Sequence, residues 1–175
     1  MSFLDRFKKA EPARPASLSV TASATEVLAP VSGEGVAMAA LPDPLFAGGA
    51  MGTAYGVEPA DGIVYAPVSG TVTATTATLH AVGLCSDAGV EVLIHVGVDT
   101  VNMKGDGFES FVEKGQRVAA GEPLMSFDRA KIRQAGYPDT VIVVITNTDD
   151  LARVEPVAPA HVSAGEKIFE VASAR

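Results

Sequence analysis

Short apolar runs interrupted by glycine, proline or aspartate fill this 175-residue chain from Glu26 onward. Punctuation of this kind is typical of many short strands and not of long helices. One short helix is predicted around Phe127–Gly136, where Gly136 serves as a stop signal. Even a strongly apolar run such as Val141–Ile145 is far too short to span a bilayer. The pattern therefore predicts an all-β fold with short helices.

Two short near-repeats refine this prediction. "APVSGEGV" (Ala29–Val36) returns as "APVSGTVT" (Ala66–Thr73), and "VAAGEPL" (Val118–Leu124) returns as "VSAGEKI" (Val162–Ile168). Each repeat joins a strand start to a turn, so duplicated hairpin motifs are expected. Packed face to face, such hairpins form an antiparallel β-sandwich or a flattened barrel.

Composition and charge exclude several classes of protein. A hydrophobic content of 47% with 19% charged residues describes a globular chain that can bury a substantial core. The formal charge of −8 would repel a phosphate backbone, so nucleic acid is not an expected partner. The single cysteine, Cys85, offers neither a disulfide nor a zinc-ligand pair, which favours the cytoplasm.

The first 25 residues differ from the rest of the chain. Residues 1–9 pair Phe3, Leu4 and Phe7 with basic side chains, a pattern typical of a short amphipathic helix. Such a helix is either a frayed tail or a weak anchor at the inner membrane surface. Residues 10–25 are rich in alanine, proline and serine and are interpreted as a linker. The predicted organisation is therefore a tail and linker over residues 1–25 and one domain over residues 26–175.

Two histidines flank a polar turn in "LHAVGLCSDAGVEVLIHVG". If the chain folds back about Ser86–Gly89, with the hairpin centred between Asp87 and Ala88, His80 lies directly opposite His95. Alternation along the strands then assigns two faces. In this register the core face carries Leu79, Ala81, Gly83, Cys85, Val90, Val92, Ile94, Val96 and Val98. The face of the histidines carries Thr78, Val82, Leu84, Glu91, Leu93 and Gly97.

Two opposed imidazoles on an otherwise apolar patch indicate a chemical site within a docking surface. Neutral imidazole acts as a nucleophile, a proton carrier or a metal ligand. The sequence has no serine or cysteine in a nucleophile-elbow context and no phosphate-binding glycine loop for a nucleotide. Two hypotheses remain at this point: a phosphoryl-accepting histidine or a metal site.

The sequence resembles one family closely, the glucose-type enzyme IIA of the bacterial phosphoenolpyruvate-dependent sugar phosphotransferase system. The resemblance covers roughly residues 26–172. It is carried by "LIHVGVDTVNMKGDGF" (Leu93–Phe108), "APVSGTV" (Ala66–Val72), "LPDPLFA" (Leu41–Ala47), the pair Thr78 and His80, and "EKGQRVAAGEPLMSFD" (Glu113–Asp128). The family fold is an antiparallel β-sandwich, which agrees with the duplicated hairpins.

The resemblance implies a role for each site residue. His95 matches the histidine that takes a phosphoryl group from the histidine-containing phosphocarrier protein and passes it to a cysteine of enzyme IIB, which drives sugar uptake through the IIB/IIC permease. His80 matches the second histidine, which stabilises the transferred group, and Thr78 matches its hydrogen-bonding threonine. A backbone carbonyl near Gly97 is expected to hold the Nδ1 proton of His95, which leaves Nε2 as the attacking atom.

The resemblance also implies a partner-docking patch around the histidines. It assigns to this patch Asp43, Leu45, Phe46, Val82, Leu93, Asp99 and Lys104. For Asp99 a turn-capping carboxylate is an equal alternative. No cofactor is required, but some members share a zinc ion between the two histidines and the carboxylate of a regulatory partner. The resemblance thus also implies regulation of other proteins of carbon metabolism.

Three other functions compete with this interpretation. A zinc peptidase of the lysostaphin type needs a further ligand where the sequence has "HVG". A lipoyl or biotinyl carrier needs a lysine on an exposed tight turn, and Lys104 in "NMKGDG" lacks the flanking pattern. A purely regulatory binding protein of the same fold would use the same surface and remains open. His161, in "APAHVSAG", is expected to take no part in any of these functions.

Overall fold

The computed structural model describes residues 13–174, and these form fourteen strands and two short α-helices. The strands are β1 (Glu26–Leu28), β2 (Gly33–Ala37), β3 (Thr53–Pro59), β4 (Ile63–Tyr65), β5 (Gly70–Thr75), β6 (Ala81–Ser86), β7 (Glu91–Val96), β8 (Phe108–Ser110), β9 (Arg117–Val118), β10 (Pro123–Phe127), β11 (Val141–Ile145), β12 (Leu151–Pro156), β13 (His161–Val162) and β14 (Lys167–Ser173). The helices are α1 (Pro44–Ala47) and α2 (Arg129–Gln134). Within this part of the chain no helix is long and apolar enough to cross a membrane.

The strands form one large sheet and two small ones, and all paired strands are antiparallel. The large sheet has the order β13-β2-β3-β11-β7-β6-β5-β9, and the small sheets have the orders β1-β14-β12 and β4-β10-β8. The predicted all-β, antiparallel sandwich with short helices is confirmed. Because the large sheet ends at β13 and β9, the described residues do not form a closed barrel.

Strand β11 lies in the middle of the large sheet and is buried on both faces. Val141, Val143 and Ile145 belong to the main core, whereas Ile142 and Val144 belong to a smaller cluster with Phe46 on the opposite face. A strand covered on both faces has no polar side to alternate, which accounts for its uninterrupted apolar sequence. The smaller cluster forms the floor beside the histidines.

The sequence repeats form equivalent structures. The Ala29 amide donates to the Glu166 carbonyl at 2.7 Å, and the Ala66 amide donates to the Glu122 carbonyl at 2.8 Å. At each of these two junctions, an "APVS" segment is therefore hydrogen-bonded to an "AGE" segment in the same way. The duplicated hairpin motifs are confirmed as two matching junctions between strands.

The described part of the predicted linker packs on the domain. The Leu18 amide donates to the Gly121 carbonyl at 2.9 Å, and Val20 lies against both Gly121 and Gly165. Arg14 adds an ion pair with Glu122 at 3.3 Å. These residues lie against the domain because the glycines of the two repeats leave room for apolar side chains. The division into a tail and linker over residues 1–25 and a domain over residues 26–175 stays a prediction. The amphipathic helix predicted over residues 1–9 lies outside the described residues.

The histidine hairpin has a different register from the predicted one. His95 pairs with Ala81 and not with His80. The cause is the loop, because the Ser86 amide bonds to the Val90 carbonyl and leaves a three-residue connection that ends at Gly89. Gly89 has a φ of +83°, as is common in three-residue hairpin loops. The prediction assumed a two-residue loop, Asp87 and Ala88. Because Gly89 is a third loop residue, one strand is shifted by one position relative to the other.

This shift exchanges the two faces of β6. Val82 and Leu84 are each only 1% exposed and pack in the main core, so the prediction that Val82 lines the docking patch is wrong. Ala81 and Gly83 take the places opposite His95 and Leu93 instead. A one-residue slip has this effect because successive side chains in a strand point to opposite faces.

Candidate functional site

His95 lies near the end of β7, and its imidazole is held by the turn that follows the strand. Its Nδ1 atom lies 2.8 Å from the carbonyl oxygen of Gly97. Gly97 has a φ of +77°, and a side chain there would collide with Thr100. Because a carbonyl only accepts hydrogen bonds, the neutral ring carries its proton on Nδ1. The lone pair of Nε2 is therefore free for chemistry, as the sequence predicts.

His80 reaches His95 although the two residues are not paired across the hairpin. The ring centroids lie 4.9 Å apart, and the planes meet edge to face at 81°. Leu79, immediately before His80, has a left-handed φ of +59°, so His80 does not follow the alternation of β6. Its carbonyl still accepts the Val96 amide at 2.8 Å. The turn before β6 thus brings the predicted pair together by a different route.

Two threonines fix the ring of His80. Thr78 Oγ1 lies 2.7 Å from His80 Nδ1, as predicted, and Thr76 Oγ1 lies 3.4 Å from the same nitrogen. Thr76 also accepts the Ala81 amide at 3.3 Å, which closes the turn. A hydroxyl that donates to Nδ1 leaves the His80 proton on Nε2, where an anion can accept it. Sequence reasoning places Thr76 near the site but gives it no role, because its partner Ala81 offers no polar side chain as a signal.

Both imidazoles are neutral at neutral pH. Burial, followed by the nearby His95, lowers the pKa of His80 from 6.5 to about 4. Burial also lowers the pKa of His95, although the Gly97 carbonyl and the charges of Asp43 and Asp99 act in the opposite direction. A neutral imidazole retains the lone pair that a nucleophile or a metal ligand needs.

An apolar rim surrounds the pair, and its members differ in exposure. The Phe46 ring lies 5.2 Å from the His95 ring, but Phe46 is only 4% exposed and forms a wall of the site. Leu93 is half-buried beside it in the smaller cluster. Leu45 on α1 and Val101, in the 3-10 turn after Asp99, are about half exposed at 50% and 48%. Val101 has no role predicted from the sequence, although it stands within the "DTV" of the quoted signature.

The predicted charged residues lie on the segments that flank the histidines. Asp43 caps α1 by accepting the Leu45 amide at 2.9 Å. Asp99 occupies the cap position of its 3-10 turn with a φ of +60°, but its carboxylate makes no capping hydrogen bond. Lys104 ends the same turn and is exposed. The alternative role of Asp99 as a turn-capping carboxylate is therefore wrong, because its side chain makes no capping hydrogen bond.

The pair supplies two ligands for a metal ion and no more. Among residues 13–174 no group of three or more histidine, cysteine, aspartate or glutamate side chains is placed to hold one. Structural zinc sites use four protein ligands and catalytic sites commonly use three. On these residues alone, a tightly bound resident zinc is not expected.

Comparison with known proteins first gives the class of protein. The structure is similar to that of glucose permease IIA from Mycoplasma capricolum, with a TM-score of 0.74 and 32% sequence identity over 82% of this chain and 93% of that chain. The fold is therefore that of a IIA component of a sugar permease. The family model for the phosphoenolpyruvate-dependent sugar phosphotransferase system, EIIA 1, matches residues 25–151. The chain belongs to this family.

Relatives within the family occur both alone and fused to other components. The chain is 41% identical to the glucose-specific EIIA component of Halalkalibacterium halodurans over 80% of this chain and 81% of the relative. It is 44% identical to the beta-glucoside-specific EIIBCA component of Bacillus subtilis over 69% of this chain and 20% of the relative. It thus spans only about a fifth of the fused protein. Family membership confirms the predicted phosphoryl-carrier role in sugar uptake and an association with other phosphotransferase components.

Proposed function

We propose that His95 accepts a phosphoryl group on Nε2 from the histidine-containing phosphocarrier protein and passes it to a cysteine of enzyme IIB. The observation that carries this proposal is the 2.8 Å contact between His95 Nδ1 and the Gly97 carbonyl. It keeps the ring in the tautomer whose Nε2 lone pair faces away from the backbone. The lowered pKa of His95 favours the uncharged form that such an attack needs.

Each transfer exchanges one bond to phosphorus for another. In the first step a bond forms between phosphorus and His95 Nε2 while the bond to the donor histidine breaks, and the donor keeps that electron pair. In the second step the thiolate of enzyme IIB attacks phosphorus, and His95 leaves as the neutral imidazole. The transition state of such transfers is loose, so the protein mainly positions the group and balances its charge.

His80 and Thr78 act on the charge of the transferred group. With Thr78 at Nδ1, the Nε2–H of His80 is a hydrogen-bond donor for a phosphoryl oxygen. The rings lie edge to face, with centroids 4.9 Å apart, so a group on His95 lies within reach of this donor. A donor aimed at charge in the transition state lowers the barrier to transfer.

The apolar rim serves as the docking surface for both partners. Leu45 and Leu93 lie close to the histidines, with Phe46 as the wall behind them, and their contact with a partner would exclude water from the phosphohistidine. Asp43, Asp99 and Lys104 form a charged border, and the two carboxylates suit basic residues of a partner.

Regulatory partners would bind the same surface. A regulatory partner that adds a carboxylate to His80 and His95 would complete an intermolecular zinc site, with water as the fourth ligand. His80 would then bind through Nε2 with its proton on Nδ1, where Thr78 Oγ1 can accept it. We place the protein in the cytoplasm, next to the IIB/IIC permease that it serves. Contact of residues 1–9 with the inner membrane surface is part of the same proposal.

Reconstituted phosphorylation tests the assignment of His95. The protein is incubated with phosphoenolpyruvate, enzyme I and the phosphocarrier, and acid-labile, base-stable label is counted and mapped. His95→Gln should accept no label, whereas His80→Gln should accept it and pass it to enzyme IIB slowly. His161→Gln, which removes an exposed histidine, should behave as the wild type. Full labelling of His95→Gln would rule out His95 as the carrier.

A further inference from the structure

Asp139 is a buried carboxylate held between two arginines of helix α2. Its side chain is only 5% exposed, and its Oδ2 atom lies 3.0 Å from Arg129 Nε and 3.1 Å from Arg133 Nη2. Arg129 also donates to the Ala60 carbonyl at 2.7 Å, which fixes it from a second side. A carboxylate in such surroundings is tolerated only when it is paired, so its position depends on the two cations.

The backbone on either side of Asp139 faces the turn that holds His95. The Gly97 amide donates to the Thr140 carbonyl at 2.8 Å, and the Val98 amide donates to the Pro138 carbonyl at 3.1 Å. These two bonds continue the β7–β11 ladder beyond the ends of both strands. The segment Pro138–Thr140 therefore fixes the positions of the two peptide groups on either side of the Gly97 Cα.

The Gly97 turn leaves this segment little freedom to move. A side-chain carbon at Gly97 would approach the Pro138 carbonyl oxygen to 2.9 Å, so the two backbones are in close contact. The Gly97 carbonyl points to His95 Nδ1 at 2.8 Å. A displacement of Pro138–Thr140 would change the position of the group that selects the tautomer.

We propose that Asp139 is a positioning residue for His95. Its ion pairs to α2 hold the segment Pro138–Thr140, this segment holds the Gly97 peptide, and the Gly97 carbonyl keeps the His95 proton on Nδ1. Asp139 itself does not touch the imidazole. The proposal rests on the proposed function of His95 but concerns a property of the free protein, its tautomer.

The tautomer of His95 is measured by long-range ¹H–¹⁵N correlation at about pH 8, well above the ordinary histidine pKa of about 6.5. Asp139→Asn keeps the shape of the side chain and removes its charge. We expect the Nδ1–H tautomer, dominant in the wild type, to become mixed with the Nε2–H form. Phosphoryl acceptance should slow by about 10-fold, as when groups that orient metal-bound histidines are changed.

Asp106→Asn is the matched control. Asp106 pairs with Lys131 of the same helix at 2.8 Å, but both side chains are about half exposed or more, at 70% and 49%. In Asp106→Asn, the tautomer of His95 and the rate of phosphoryl acceptance should equal those of the wild type. An unchanged tautomer in Asp139→Asn, or an equal change in Asp106→Asn, would overturn the proposal.

A milder pair of variants covers the case in which Asp139→Asn does not fold. Arg133→Gln removes a cation that is 58% exposed, and Lys131→Gln is its control on the same helix. Only Arg133→Gln should shift the tautomer, and no shift there would overturn the proposal. A wild type that shows the Nδ1–H tautomer but accepts no phosphoryl group would instead refute the proposed function alone.

Discussion

The two histidines of the site have the same side chain, but their ring nitrogens have different partners, which suits the two rings to different tasks. A backbone carbonyl at His95 Nδ1 exposes a lone pair at Nε2. A threonine hydroxyl at His80 Nδ1 allows a proton at Nε2. One ring can therefore accept phosphorus while the other donates a hydrogen bond to its oxygens. Exchanging the two partners would exchange these roles.

The lowered pKa of His80 makes stability depend on pH in a defined window. Since the unfolded chain binds a proton near pH 6.5 and the folded chain near pH 4, stability falls as the pH drops through this interval. Between pH 7 and pH 4 the wild type should lose about 3 kcal/mol that His80→Gln does not lose. Urea denaturation at several pH values measures this difference.

His161→Gln is the control for this measurement. His161 is exposed and pairs with Glu34 at 2.8 Å on the surface. Its removal should leave the steep loss of stability between pH 7 and pH 4 in place. Equal pH dependence in His80→Gln and the wild type would show that the His80 imidazole is not held neutral by burial.

At the scale of elements, the loop of the histidine hairpin determines which side chains meet. Sequence alternation correctly predicts the two strands, but it pairs His80 directly with His95, because it does not reveal the length of the connection. The three-residue loop moves Val82 into the core, and the left-handed Leu79 returns His80 to the site. Two local departures from regular strand geometry thus compensate for each other.

Other features were predictable because their signals are local. The apolar run of β11 and the repeats of "APVS" and "AGE" directly indicate strands and duplicated junctions. The contribution of Thr76 depends on a turn closed by a backbone amide, and that of Asp139 depends on packing against α2. Contacts of this kind arise only after the chain has folded, so spacing does not indicate them.

Gly89 provides a direct test of the hairpin loop. Its φ of +83° disfavours any residue with a side chain, although no atom lies within 4 Å of the position that a Cβ would occupy. Gly89→Ala should therefore lower the free energy of unfolding by about 1–2 kcal/mol through backbone strain alone. Ala88→Gly, in the same loop, should change it by less than about 1 kcal/mol. Equal effects of the two substitutions would contradict the three-residue loop.

For the whole molecule, we propose that one surface serves every partner. The exposed Leu45 and Val101 lie on segments that flank the histidines, and the carboxylates of Asp43 and Asp99 act on His95 from the same region. A phosphoryl group on His95 would add negative charge at the centre of this surface. The phosphorylated and unphosphorylated forms would therefore present different surfaces to a partner without a change of fold.

Zinc should distinguish these two forms. The isolated protein should bind zinc weakly, because the two imidazoles fall short of the three or four ligands of stable sites. Zinc should strengthen association with a regulatory partner only while His95 is unphosphorylated, since phosphorylation removes one ligand. Zinc titrations during partner binding, with each form, measure this effect. Equal enhancement for both forms would show that the histidine pair is not the metal site.

A single ring nitrogen, His95 Nε2, is proposed to carry the phosphoryl group. The direct measurement is a heteronuclear NMR spectrum of the protein labelled with ¹⁵N in its histidines and phosphorylated through the phosphocarrier. A one-bond coupling between phosphorus and Nε2 of His95 is the predicted result, with Nδ1 still protonated toward the Gly97 carbonyl. A coupling of phosphorus to Nδ1 of His95, or to either nitrogen of His80, would contradict the account.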